Sequence, residues 1–480
     1  MNALKVYSVP KEAVGNDDFS VRVRSENKEW KELFVYQVKV DMHNVRKASM
    51  VHFDMEGTVE VEVTSKRVIE QAKIRPLSCN VSFEQSDHKI NFRLDNPCKL
   101  SIEINDDRFH NLHLFANPFE DQRPQSTDSN VLVIEPGVHR TEDILRLISE
   151  PNQSGDEPDV IYFSPGMHYL EETVLRIPSG KTVYLAGGSI VVGSMVCDSV
   201  KDVSICGRGI LYLSNFERYS SFRGIRIVFS QNITVDGIVV IDPPHYSIYI
   251  GKSDTIRINN FKAFSTRGWS DGIDMMSSSN IDIHDVFMRN SDDCIAVYGS
   301  RWDFYGDTKN VSVKNSVLWA DVAHPIMVGT HGNHEAQGDT IENLHFENID
   351  ILEHHEPQEN YWGAMALNAG DMNVIRNVVF DTIRVEDFEL GQLIDIRVIF
   401  NKDYNPEPGN SIKDITFRNI AYNGKNEKPS RIYGFDRDRM VENVLFDNVK
   451  INGHVIKHID HTNFDVNKFV RHISFKYESE

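Results

Sequence analysis

Asn280-Ile-Asp-Ile-His-Asp285, Asn310-Val-Ser-Val-Lys-Asn315, Asn343-Leu-His-Phe-Glu-Asn348 and Asn377-Val-Val-Phe-Asp-Thr382 are copies of one pattern. Each reads polar, apolar, any, apolar, any, then a turn-forming residue. The pattern also occurs at Asn232-Ile-Thr-Val-Asp-Gly237, Asp414-Ile-Thr-Phe-Arg-Asn419 and Asn443-Val-Leu-Phe-Asp-Asn448, with weaker copies starting at Asp202 and Thr255. Copies recur at irregular intervals of roughly 23 to 37 residues, one short strand per repeat, which marks a solenoid. Alternating apolar residues point into the tube, and Asn or Asp at the turn is expected to bond the neighbouring coil's backbone. No helical period separates the copies, which excludes a leucine-rich repeat or a βαβ sheet. The reading is all-β, with a right-handed parallel β-helix over residues 126–480, its hand taken from the general crossover preference.

Working outward, the first 115 or so residues have another texture. Phe19-Ser-Val-Arg-Val-Arg24, Val59-Glu-Val-Glu-Val63 and Leu100-Ser-Ile-Glu-Ile104 alternate with period two. That pattern gives sheets with one wet face, and predicts an N-terminal antiparallel β-sandwich. The polar, proline-punctuated stretch from Asn117 to Ser129 reads as a linker. Residues 1–125 are therefore an accessory sandwich plus linker, and 126–480 the β-helix. A helical turn or two is expected between Thr141 and Ser149.

The 480 residues carry a net charge of −20, which repels phosphate backbones and anionic membranes and excludes nucleic-acid partners. No apolar run reaches the roughly 18 residues of a membrane helix. The N-terminus, Met-Asn-Ala-Leu-Lys-Val-Tyr, has no signal-peptide core, so the expectation is a cytoplasmic protein, or a secreted one if a leader has been removed. The five cysteines contain no CxxC, and His324, His331, His334, His354 and His355 fit no zinc spacing. Gly207 and Gly209 lack the following helix of a nucleotide loop. No metal and no cofactor are expected. The sequence sets no oligomeric state.

Two segments one coil apart carry the chemistry: Trp269-Ser-Asp271-Gly-Ile-Asp274 and Asn290-Ser-Asp292-Asp293-Cys294. Stacking brings Asp271, Asp292 and Asp293 to one corner. Asp292 and Asp293 cannot both leave one face of a regular strand, so they converge only at a bend. Like charges this close push one pKa up and leave the others ionised. That is what glycoside hydrolysis requires, with one protonated acid and one carboxylate handling water.

These residues resemble the Asn-Thr-Asp-Gly-Ile-Asp and Gly-Asp-Asp-Cys-Ile-Ala motifs of glycoside hydrolase family 28, the polygalacturonase family. The likeness runs over roughly residues 158 to 330 and includes Cys206-Gly-Arg-Gly209. It implies a pectate-lyase-like solenoid, three catalytic aspartates and inversion at the anomeric carbon. Asp292 would be the general acid, and Asp271 and Asp293 would position and deprotonate water, with acid and base about 6.5–9.5 Å apart. His324, in Ala323-His324-Pro325, is the counterpart of the histidine that supports the acid. The family's Arg-Ile-Lys clamp for a galacturonate carboxylate is replaced by Gly363-Ala-Met365-Ala-Leu367-Asn368, both cationic positions being apolar. Arg397 comes a full coil later. A uronic acid loses its charge-assisted partner there, so the resemblance is read toward a neutral or non-galacturonate glycan. A sandwich joined to such a β-helix also resembles glycoside hydrolase family 49, the dextranase and isopullulanase group.

Sugars stack on aromatic faces. Trp269, Trp302, Trp319, Tyr361, Trp362 and Tyr404 lie in or beside these coils, and Asp274 and Arg397 complete the candidate substrate-binding set. The partner expected is a carbohydrate. Other readings on the same fold are a polygalacturonase or rhamnogalacturonan hydrolase acting on pectin, a polysaccharide lyase, for which these coils offer little Lys or Arg base, and a non-catalytic glycan-binding solenoid.

Overall fold

The computed structural model describes residues 3–121, 123–151, 155, 157–218, 223–425 and 428–477. Strands before residue 120 form two sheets. One contains Tyr36–Val40, Arg46–Glu56, Ala72–Arg75, Cys98–Ile104 and Asp107–Asn117, and the other Phe19–Ser25, Val59–Ser65 and Lys89–Leu94 with short flanking strands. In Phe19–Ser25 and Val59–Ser65 every second residue is buried. Val21, Val23 and Val61 meet Val51, Phe53 and Leu114 of the other sheet in one core. Pairing is antiparallel except that Asp107–Asn117 runs parallel to Arg46–Glu56. The sandwich is thus not purely antiparallel. Alternation reports a one-sided face and carries no information on strand direction.

From Val131–Ile134 to Val470–Lys476 the strands form one 32-stranded sheet wound into a parallel β-helix. Ile281 lies opposite Val311, Val311 opposite Leu344, and Leu344 opposite Val378. Inside the tube Phe346, Phe380, Phe417 and Phe446 stack with ring centroids 4.9–5.4 Å apart. The leading Asn of each repeat is left-handed, with φ of 53–59° at Asn280, Asn310, Asn343 and Asn377. Its side chain donates to the Asn one coil back, at 2.9 Å for Asn310 to Asn280, 3.0 Å for Asn343 to Asn310 and 2.7 Å for Asn377 to Asn343. A side-chain ladder therefore replaces the expected bond to backbone, because identical amides recur about 4.8 Å apart along the tube. The expected helical turns are a helix at Thr141–Ile148. No described helix is long and apolar enough to cross a membrane.

Sandwich and tube share a buried seam. Tyr36, Val38 and Met50 pack with Phe264, Phe287 and Trp319. Trp319, counted among the sugar-facing candidates, is fully buried here. Arg208 pairs with Asp54 at 3.0 Å and Arg75 with Glu386 at 2.7 Å across the seam. The turn after Tyr36–Val40 reaches the aspartate coil, where Met42 N–H donates to Ser291 Oγ at 3.0 Å.

Candidate active site

Strands Ile273–Met276, Ile295–Tyr298, Ile326–Gly329, Met365–Ala369 and Ile394–Val398 lie side by side. Register places Asp274, Ala296, Met327, Ala366 and Asp395 in one column. Just before these strands, Gly272 N–H donates to Asp293 O and Cys294 N–H to His324 O, each at 2.8 Å. Asp271, Asp293 and His324 thus hold the same place in successive coils. The stacking partner of Asp271 is Asp293. Asp292 sits at the bend after Phe287–Ser291, where its Oδ2 accepts Trp269 N–H at 2.9 Å and its Oδ1 accepts Asp293 N–H at 3.1 Å.

One carboxylate oxygen from each of Asp271, Asp292 and Asp293 lies within 4.8 Å of the other two. Their nearest oxygens are thus close enough to share one water molecule. Three oxygens so arranged are also a possible seat for a cation. Asp271 and Asp293 are buried, and Asp292 is partly exposed. Burial, then the neighbouring carboxylates, push Asp292 up to about 7. Burial and Asp274 drive Asp271 well above the carboxylate range. Asp274 is driven the same way by burial, against the pull of Arg301 and of the Tyr246 hydroxyl. Fewer than three charges therefore remain on the trio at neutral pH.

His324 is fully buried. Its Nδ1 lies 2.7 Å from Asp293 Oδ1, which also accepts His324 N–H at 3.0 Å, and its Nε2 lies 2.8 Å from Tyr361 O. Both ring nitrogens face acceptors, so both carry protons. Burial opposes that charge, but the Asp293 carboxylate outweighs it and raises His324 to about 9. The histidine expected to support the acid is therefore bound to Asp293, not to Asp292.

The aromatic candidates divide. Trp269 and Trp302 are 50% and 43% exposed beside the trio, Trp302 stacking on Tyr246 at 5.8 Å. Tyr361 stands edge-on to His324 at 4.8 Å and against Tyr404 at 5.3 Å, whose hydroxyl donates to Gln358. Trp362 donates to Glu356 O, and its ring carries Lys428 at 4.3 Å and Arg431 at 5.4 Å. In the coil lacking the clamp, Met365 and Leu367 face the tube core. The outward positions are Ala366 and Asn368, one residue further on than the sequence reading placed them. Arg397, opposite Asn368, is bound to Asp395 at 2.7 Å, Asn360 O at 2.7 Å and Asn368 Oδ1 at 3.3 Å. A hollow of about 430 Å³ beside it is lined by Gln358, Arg397, Lys402 and Tyr433. Larger hollows of about 880 and 1140 Å³ lie on the sandwich, away from the trio.

Sequence reading missed Arg301, whose guanidinium carbon lies 4.6 Å from the ring centre of Trp302, 5.0 Å from Tyr298 and 5.8 Å from Tyr246. It also missed His245, pushed down to about 3 by burial and by Arg223, Arg301 and Arg218. A lone arginine in a polar loop reads as solvated, and nothing local signals that Tyr246 arrives from an earlier coil.

The family model for glycosyl hydrolases family 28 matches residues 215–469, just over half of the chain. The chain belongs to glycosyl hydrolases family 28. Exopolygalacturonase B of Aspergillus niger is 23% identical over 217 residues, 41% of this chain and 47% of that protein. The family 28 match thus spans about half the length of that curated relative. Among solved structures, Dex49A from Penicillium minioluteum aligns with a TM-score of 0.64 and 15% identity over 98% of this chain and 96% of that one. A hyperthermoactive exopolygalacturonase from Thermotoga maritima aligns with a TM-score of 0.51 and 14% identity over 74% of this chain and 93% of that one. At such identities the likeness is one of fold. It extends the match to the sandwich in the first case.

Proposed function

We propose that the protein is an inverting hydrolase of an oligo- or polysaccharide, with Asp292 as general acid and Asp271 and Asp293 holding the attacking water. The observation that carries this reading is the difference among the three carboxyls. Asp292 alone is partly exposed, and with a pKa of about 7 it holds a proton it can release to a leaving oxygen. Asp293 has one oxygen saturated by a charged His324, which fixes its orientation and leaves the other for water. Asp271 prefers its proton and so orients the water, leaving Asp293 to accept the water's proton. Oxygens within 4.8 Å of one another can share one water at about 2.8 Å from each. Trp269 and Trp302 supply exposed faces for sugar rings.

Ala366 and Asn368, both fully buried, put no cation at the outward positions of their coil, which supports an uncharged sugar on the C-terminal side of the trio, as in a dextran- or pullulan-like glycan or a plant oligosaccharide. The pectic alternative draws on relatives such as exopolygalacturonase B.

Two measurements test the assignment. Asp292→Asn is expected to lower kcat by roughly 10²- to 10⁴-fold with unchanged thermal unfolding, as loss of a general acid does. A variant keeping a tenth of the activity removes Asp292 from that role. Proton NMR of the first product anomer is expected to show inversion, and a retained anomer would instead make one aspartate a nucleophile.

A further inference from the structure

The sandwich meets the tube at the strand that leads into Asp292. In that strand, Phe287–Ser291, the pairing register slips: Asn290 faces Ala320, but Ser291 faces Val322. Asp321 is thus an extra residue in the neighbouring strand, and such a bulge re-aims the chain beside it. The backbone ladder alone therefore does not fix the direction in which Asp292 leaves. Arg289 holds the bulge, with Nε and Nη2 each 2.9 Å from an oxygen of Asp321. The sandwich strand Asp107–Asn117 supplies three more acceptors to the same guanidinium. Nη1 donates to Asn111 Oδ1 at 2.9 Å and to His113 Nε2 at 3.2 Å, and Nη2 donates to Arg108 O at 2.9 Å. His113 can accept because its Nδ1 faces Ser49 O at 3.1 Å, and burial, then Arg289, keep its ring neutral. The second hold is Ser291, whose Oγ accepts Met42 N–H from a sandwich turn. That turn is itself fixed, since Asp41 accepts His43 N–H at 3.0 Å and pairs with Arg46. His43 stands edge-on to His355 at 6.3 Å. His355 in turn braces the approach to His324, with its Nδ1 3.0 Å from Asp321 O and its carbonyl accepting Ala323 N–H at 2.7 Å.

We propose that the sandwich is a positioning element of the catalytic site, and that Asn111, Arg289 and Ser291 set the bend that carries Asp292. The proposal rests on the hydrolase reading, with Asp292 as the acid. Arg289, Asp321, Asn111 and His113 are all buried, so water does not replace a partner lost among them. A general acid must stay within about 0.5 Å of its productive place, and a shift of about 1 Å can cost 100-fold. Asn111 belongs to the sandwich and acts on the acid only through Arg289.

The test is kinetic, on the full chain, with oligosaccharides of dextran, pullulan and polygalacturonate as probes and thermal unfolding measured alongside. Asn111→Ala takes one acceptor from Arg289 without altering the tube. It is expected to lower kcat per folded molecule about 10- to 100-fold with KM changed less than about twofold, because the acid shifts and the sugar faces do not. Asn111→Asp keeps an acceptor oxygen at that place and is expected to recover most of the loss. Ser291→Ala loses only the bond from Met42 and is expected to lower kcat roughly 3- to 10-fold, again at nearly constant KM. The inference is overturned if both alanine variants keep the wild-type kcat per folded molecule. It is overturned equally if KM rises in step as kcat falls, which marks a general loosening of the cleft. Asp292→Asn, run in parallel, separates this inference from the reading beneath it. If that variant stays active, or the wild type cuts none of the three glycans, the catalytic assignment fails and the positioning role falls with it.

Discussion

The two flanks of the acid trio hold their arginines differently and are electrostatically unlike. On the C-terminal flank Arg397 and Arg431 converge on the buried Asp395, above a floor of Ala366 and Asn368. On the N-terminal flank the guanidinium of Arg301 rests on Tyr298 and Trp302. An ion pair spends its field internally, whereas a cation on rings still projects it, since a quadrupole screens less than a carboxylate. The charge a substrate meets is therefore set by pairing, not by the count of basic residues.

That contrast yields an ordered set of expectations. The largest concerns the paired flank. Arg397→Met leaves Asp395 buried with one partner fewer and is expected to cost about 3–5 kcal/mol in urea unfolding, with little change in preference between acidic and carboxyl-reduced pectic oligosaccharides. A change in preference instead would make the two flanks equivalent. Next, Asp293→Asn is expected to cost at least about 100-fold in kcat. It should also drop the His324 pKa, read by NMR, from about 9 toward or below its ordinary value, because the carboxylate that offsets burial is gone. For His324 a folded pKa raised above 6.5 means stability present below that value and lost as pH rises through about 9. In the pH profile, activity should fall as pH rises through about 7, where Asp292 ionises and can no longer donate. A profile flat to pH 9 would require another acid. The smallest effects belong to the rings and the seam. Trp302→Ala is expected to raise KM about 3- to 10-fold through lost stacking. Ser291→Ala, removing the acceptor for Met42 N–H, should cost about 1 kcal/mol of stability.

Much of the architecture was legible. Repeats such as Asn310-Val-Ser-Val-Lys-Asn315 announce the tube, because each coil must place two apolar residues inward and a left-handed residue at the corner. Asp271, Asp292 and Asp293 were legible as a group for the same reason. Their individual places were not. Coil lengths vary by more than a dozen residues, so a one-residue choice between Asp292 and Asp293 as the stacking partner of Asp271 is beyond any spacing argument. A slip of one exchanges the faces of a strand. The same slip misplaced the outward pair at Ala366 and Asn368. Trp319 looked like Trp302 as a word in the sequence. One is sealed under the sandwich and the other stands 43% exposed.

From residue order alone come the all-β class, the change of texture near residue 120 and the acidic coil with its proton chemistry, since these depend on neighbours within a few positions or on a repeating period. Folding in three dimensions settled which carboxyl faces solvent, which aspartate His324 holds, and which arginines share Asp395. Those outcomes turn on distances of a few ångströms between side chains from different coils and from the sandwich, and Coulomb and desolvation energies change steeply over that range.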